Sequence, residues 1–66
     1  RLAACNHMGT IVAVGSDRGR LSLLRSQDEE PLTLDLPVRI NCLAMDSAGT
    51  MIMAGLNDRR ILWIRL

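Results

Sequence analysis

The chain has 66 residues, a formal net charge of +1 and an apolar content of 48%. A chain this short holds at most one small domain, marginal without a disulfide, a metal or a partner. The near-neutral charge singles out no polyanionic partner, and the apolar content excludes a disordered segment. All basic residues are arginines, and Trp63 is the single aromatic residue. The apolar runs, such as residues 11–14 and 51–54, are too short to span a bilayer, and no stretch resembles a signal peptide. Cys5 and Cys42 sit in the apolar stretches LAAC and INCLAM. That context predicts two buried free thiols on neighbouring sheets and a reducing compartment, hence an intracellular, cytoplasmic protein.

In chain order, residues 2–5 form a first strand (a), and a turn at 6–9 leads to strand b at 10–14. Gly15, Ser16, Asp17 and Gly19 then turn the chain into strand c at 21–25. The polar stretch 26–31 is a loop. Leu32, Leu34 and Leu36 alternate with Thr33 and Asp35, which predicts strand d with one face in water. A second strand a follows at 40–45, a second b at 51–54 and a second c at 61–66. Residues 11–14 are apolar throughout, the pattern of an inner strand covered on both faces. Gly15 and Gly55 are expected at equivalent bends between strands b and c. A helical repeat would need longer runs with a 3.6-residue period, and Gly9, Gly15 and Gly19 interrupt any such run.

Residues 1–26 align without a gap on residues 41–66, a repeat of forty. Gly9, Thr10, Gly15 and Arg20 fall on Gly49, Thr50, Gly55 and Arg60. Asp17 falls on Asn57, and both form turns. A period near forty fits four-stranded propeller blades or helical HEAT and armadillo units, and the strand–turn–strand pattern selects the blades.

The segments INCLAMDSAGTMIMAGLNDRRILWIRL and GTIVAVGSDRGRLSLL resemble the WD-repeat family. The resemblance implies an all-β fold of antiparallel four-stranded meander blades, a partial β-propeller. Residues 1–39 would be the first blade and residues 40–66 a second, incomplete one. WD-type rings commonly close with an N-terminal strand completing the last blade, which would place Leu66 at or near the C-terminal end of the propeller. Several family positions differ. No His precedes strand a in LPVRIN, and the Trp position of strand c holds Leu24 and Ile64, with Trp63 one residue early. Arg25 and Arg65 stand where the family has Asp, and Arg18 stands where Asp58 matches. The hydrogen-bonded tetrad of the family cannot form, so such blades are held by apolar packing.

Catalytic, cofactor and metal sites are not expected. The spacing of Cys5, His7, Cys42 and Asp46 lacks the close Cys/His pairs of a zinc site. Ser16, His7 and Asp17 have no nucleophile-elbow context, and GSDRGR precedes a strand rather than a helix N-terminus. Met45, Met51 and Met53 are expected as core filler. In an up-and-down blade, successive loops alternate between the two ends of the sheet. One end then carries Arg18, Arg20, Arg39, Arg59 and Arg60, partly offset by Asp17 and Asp58; the other carries Asp28, Glu29, Glu30 and Asp46. The expected function is a non-enzymatic protein-interaction scaffold within a larger multidomain chain. Its expected partners are the remaining blades and an acidic protein segment at the five arginines. The alternatives are nucleic-acid or phosphoinositide binding at the same arginines, or part of a propeller enzyme whose site lies elsewhere.

Overall fold

A computed structural model describes residues 2–66. The described residues form seven strands and no helix: β1 (Leu2–Cys5), β2 (Ile11–Gly15), β3 (Arg20–Arg25), β4 (Leu32–Asp35), β5 (Ile40–Met45), β6 (Met51–Leu56) and β7 (Ile61–Arg65). The chain is thus all-β. The first sheet has the order β1-β2-β3-β4 and the second β5-β6-β7, each an antiparallel meander.

Strand pairing repeats the sequence period. Leu2 pairs with Gly15, Ala4 with Ala13 and Leu23 with Ala13 from the other side. Forty residues on, Cys42 pairs with Gly55, Ala44 with Met53 and Trp63 with Met53. Every β1–β2 and β2–β3 partner pair recurs in this way in the second sheet. A bulge between Ile40 and Cys42 lets β5 enter the same register.

The turns repeat as well. Asn6 Oδ1 accepts hydrogen bonds from the amides of Thr10 (3.0 Å) and Ile11 (3.1 Å). Its counterpart Asp46 accepts from the amides of Thr50 (2.7 Å) and Met51 (2.9 Å). Such side-chain-to-backbone bonds replace ladder bonds that the tight turn cannot supply.

The sheets pack face to face. Ala13, Leu21 and Leu23 of the first meet Ile40, Ile52, Ala54 and Leu56 of the second in one buried cluster. The closest approach is made by β1 and β2 on β5. The outer strands enclose an apolar cleft of about 170 Å³ between Leu21, Leu23, Leu32 and Leu34 on one side and Ile52, Ile64 and Leu66 on the other. Leu32 and Leu34 are about half exposed, so β4 is in water on both faces rather than on one. Among the described residues, the second sheet has no fourth strand to lie against them.

Gly15 and Gly55 are not bends. Both lie within strands, paired with Leu21 and Ile61. A Cβ at Gly15 would come within 3.2 Å of the Leu43 side chain, and one at Gly55 within 2.6 Å of Cys42 Sγ. Close approach of neighbouring side chains, not a turn, selects glycine there.

The bends lie further on, at Gly19 and Arg59, whose φ angles are +83° and +73°. Gly19 is tolerated there without strain, and a Cβ would in addition strike the carbonyl oxygens of Val38 and Leu36, the latter at 2.6 Å. Arg59 holds a left-handed conformation that costs a side-chain-bearing residue about 1–2 kcal/mol. Arg59→Gly is therefore expected to stabilise the chain by about 0.5–1 kcal/mol, and Gly19→Ala to destabilise it by at least about 1–3 kcal/mol. Thermal unfolding followed by circular dichroism at one fixed chain concentration checks both signs.

Candidate functional site

The five arginines gather at one end of the two sheets. The Leu36 amide bonds to the Gly19 carbonyl and the Asn57 amide to the Arg39 carbonyl, both at 2.9 Å. These bonds tie the β2–β3 turn, the β4–β5 connection and the β6–β7 turn together. Arg20 and Arg60 are already paired. The Arg20 guanidinium bonds to Asp35 at 2.9 Å, which holds it more firmly protonated, and Arg60 bonds to Asp58 at 2.6 Å. Among the described residues, Arg18, Arg39 and Arg59 have no carboxylate within ion-pair distance. All three are exposed. A depression at Arg18 is lined by Ser16, Arg18, Arg20 and Asp35, without Arg39 or Arg59.

The opposite end gathers the β1–β2 and β5–β6 turns and the β3–β4 loop, joined by backbone bonds from His7 to Ser47 and from Ser26 to Thr10, both at 2.9 Å. Asp28 is paired with Arg25 at 2.6 Å. Glu29 and Glu30 are exposed. Cys5, His7, Cys42 and Asp46 do not converge: among the described residues no three His, Cys, Asp or Glu side chains cluster as a metal site requires.

Cys5 and Cys42 are free thiols on the two different sheets, but both are exposed rather than buried. Each stands on the side of its sheet turned away from the other sheet, where nothing covers it. The same reason corrects the methionines. Met45 packs against the core, while Met51 and Met53 lie with Trp63 along a groove of about 210 Å³ on the outer side of the second sheet. Trp63 keeps the ungapped register, pairing with Met53, and is 62% exposed. Sequence periodicity identified these strands as apolar. It carried no sign of which face another sheet would cover, and so missed the outer faces as surfaces.

The chain is thus an all-β protein of two repeated antiparallel meanders with a basic end and outward apolar faces. No protein-family model matches it, and no curated protein matches its sequence. No helix among the described residues is long and apolar enough to cross a membrane.

Asp46 supplies a pH signature. Bonds from the Thr50 hydroxyl and then from the Met51 amide, with lesser help from the amides of Thr50 and Asp46 itself, hold its carboxyl below the ordinary aspartate range against the opposing effect of desolvation. A depressed folded pKa adds stability above the unfolded value and loses it as pH falls through the folded value. Protection of the Thr50 and Met51 amides from hydrogen exchange is expected to decline below about pH 4. The Thr10 and Ile11 amides, held by the non-titrating Asn6, are expected to keep theirs. Asp46→Asn should abolish the difference, read as residue-resolved protection factors across the pH range.

Proposed function

We propose that this chain is a protein-interaction scaffold, two adjoining blades of a WD-type β-propeller in a larger intracellular, multidomain protein. In this reading residues 1–39 are one blade and residues 40–66 part of the next. Support comes from the forty-residue period, the identical strand register of the two sheets and their face-to-face packing. The blades are held by apolar contacts, since the family's polar tetrad has no counterpart here.

The docking surface is the arginine-rich end, and its partner is an acidic segment of another protein. The observation that carries this is the presence of three exposed, unpaired arginines, Arg18, Arg39 and Arg59, on turns held together by backbone bonds. A guanidinium without an internal carboxylate is free to bind one bidentately from outside. Arg59 adds weight: it occupies a left-handed position where the other repeat has Gly19. Strain kept at an exposed charged residue is the pattern of a surface retained for binding.

A fluorescein-labelled Glu-rich peptide titrated by anisotropy tests the reading. Binding is expected to weaken with salt. The triple variant Arg18→Glu, Arg39→Glu, Arg59→Glu should weaken it by about tenfold or more. Arg20→Gln with Arg60→Gln should weaken it less, because those side chains are already held by Asp35 and Asp58. Equal effects of the two sets, or tighter binding of a single-stranded oligonucleotide or of phosphoinositide vesicles than of the peptide, would overturn it.

A further inference from the structure

We propose that Ser26, on the β3–β4 loop, is a phosphorylation site for a serine kinase whose substrate groove is basic. Ser26 lies at the end of the sheets opposite the five arginines, so its modification is independent of what those arginines bind.

The hydroxyl groups of the chain are not equivalent. Ser16 Oγ accepts bonds from the amides of Arg18 and Arg20, Thr10 Oγ1 accepts one from Asn6, and the Thr50 hydroxyl donates to Asp46. Ser22 is half-buried within β3, and Thr33 lies within β4. Ser47 is exposed but is followed by Ala48, Gly49 and Thr50, with no charge among them. Ser26 is exposed, lies outside every strand, and is followed at its second, third and fourth positions by Asp28, Glu29 and Glu30. A serine kinase with a basic groove recognises a hydroxyl by the carboxylates that follow it, and a kinase with an acidic groove is repelled by them.

The loop is held lightly enough to enter such a groove. Ser26 is the second residue of a turn closed by the Asp28 amide on the Arg25 carbonyl at 3.0 Å, and its own amide bonds to the Thr10 carbonyl at 2.9 Å. Among the described residues, no further backbone bond involves residues 27–30. Extending the segment past Ser26 therefore breaks one turn bond and one ion pair, Arg25 with Asp28 at 2.6 Å, while the strands on either side stay in their sheet. Glu29 and Glu30 are exposed, and among the described residues neither has a cation within ion-pair distance. Their charges are available to the kinase without cost, whereas that of Asp28 is held by Arg25. In the transfer, the Ser26 oxygen attacks the γ-phosphorus of a nucleoside triphosphate carried by the kinase. The new oxygen–phosphorus bond forms as the bond to the β–γ bridging oxygen breaks; the nucleoside diphosphate leaves, and the serine proton passes to the kinase's carboxylate base. The product places about 1.5–2 further negative charges at the acidic end, next to Arg25.

The 66-residue chain is incubated with magnesium ATP and either an acid-directed or a base-directed serine kinase, and phosphate is located by tandem mass spectrometry. The acid-directed enzyme is expected to modify Ser26 as the main site, and the base-directed enzyme to leave it unmodified. Ser26→Ala should remove the acid-directed incorporation. Glu29→Gln with Glu30→Gln should lower its initial rate by about tenfold or more, because the groove loses the two charges free to meet it. Arg25→Gln should raise the rate, because it releases Asp28 and the turn together. All these substitutions lie in the loop or at its margin, and circular dichroism confirms that each variant keeps its strands. Four results would each overturn the proposal: no incorporation by the acid-directed kinase, phosphate mainly on another hydroxyl, modification of Ser26 by the base-directed kinase at an equal rate, or an undiminished rate for the Glu29→Gln, Glu30→Gln chain.

Discussion

Packing of the first sheet's Ala13–Leu21–Leu23 face on the second sheet's Ile52–Ala54 face is the contact on which the rest of the molecule depends. Two sheets of one repeat have two ways to bury apolar surface. Like faces can meet about a two-fold axis, which ends the association, or unlike faces can meet by a step that leaves the next step open. This chain takes the second way. Ala13, Gly15 and Ala54 are small at this contact, the Leu43 and Ile40 side chains lie against Gly15, and Ile52 is fully buried in the shared cluster. Each fully buried Leu or Ile contributes about 1.5–3 kcal/mol, so a few such side chains decide how the sheets face each other. The apolar outer faces are the direct consequence.

Differences between the repeats follow differences in cover. Asn6 is buried beneath the second sheet's turn and is neutral; Asp46 makes the same turn bonds with an exposed charge. An ionised carboxylate in the Asn6 position would lose solvation that the neutral amide does not need. Gly19 is enclosed by two carbonyls and has room for no side chain, whereas Arg59 stands in water and carries one at the cost of backbone strain. The repeat preserves backbone hydrogen bonding and lets the side chain answer to its neighbours.

Much of the fold was legible in the sequence. Every strand was found to within two residues, because apolar runs alternate with Gly, Ser, Asp and Asn turns. The ungapped period also carried the pairing register. Legibility failed wherever the outcome depended on cover. Cys5, Met53 and Trp63 have the composition of core residues, and an apolar strand residue looks the same in sequence whether or not a sheet lies over it. Gly15 was read as a bend because glycine marks turns more often than it marks close approach. At the basic end, loop alternation placed all five arginines together. It offered Asp17 and Asp58 as the offsetting charges, and Asp58 does hold Arg60, but it missed Asp35, which holds Arg20 from a different strand.

Stacking through unlike faces also constrains where a partner can bind. If each sheet face receives a neighbouring sheet, the faces are removed from solvent. The edge at β1 is likewise turned toward β5, at the closest approach of the two sheets. What stays free in every such arrangement is the outer edge at β4 and β7 and the pair of loop ends. On this chain those ends differ in sign: Arg18, Arg39 and Arg59 lie at one, and Glu29, Glu30 and Asp46 at the other. Backbone bonds between successive turns hold the basic end in a fixed array, so its charges are positioned without side-chain packing of their own. In the proposed reading the apolar faces serve packing of sheet on sheet and the charged ends serve recognition. The separation arises from strand alternation, which sends side chains to the faces and leaves the loops to the ends.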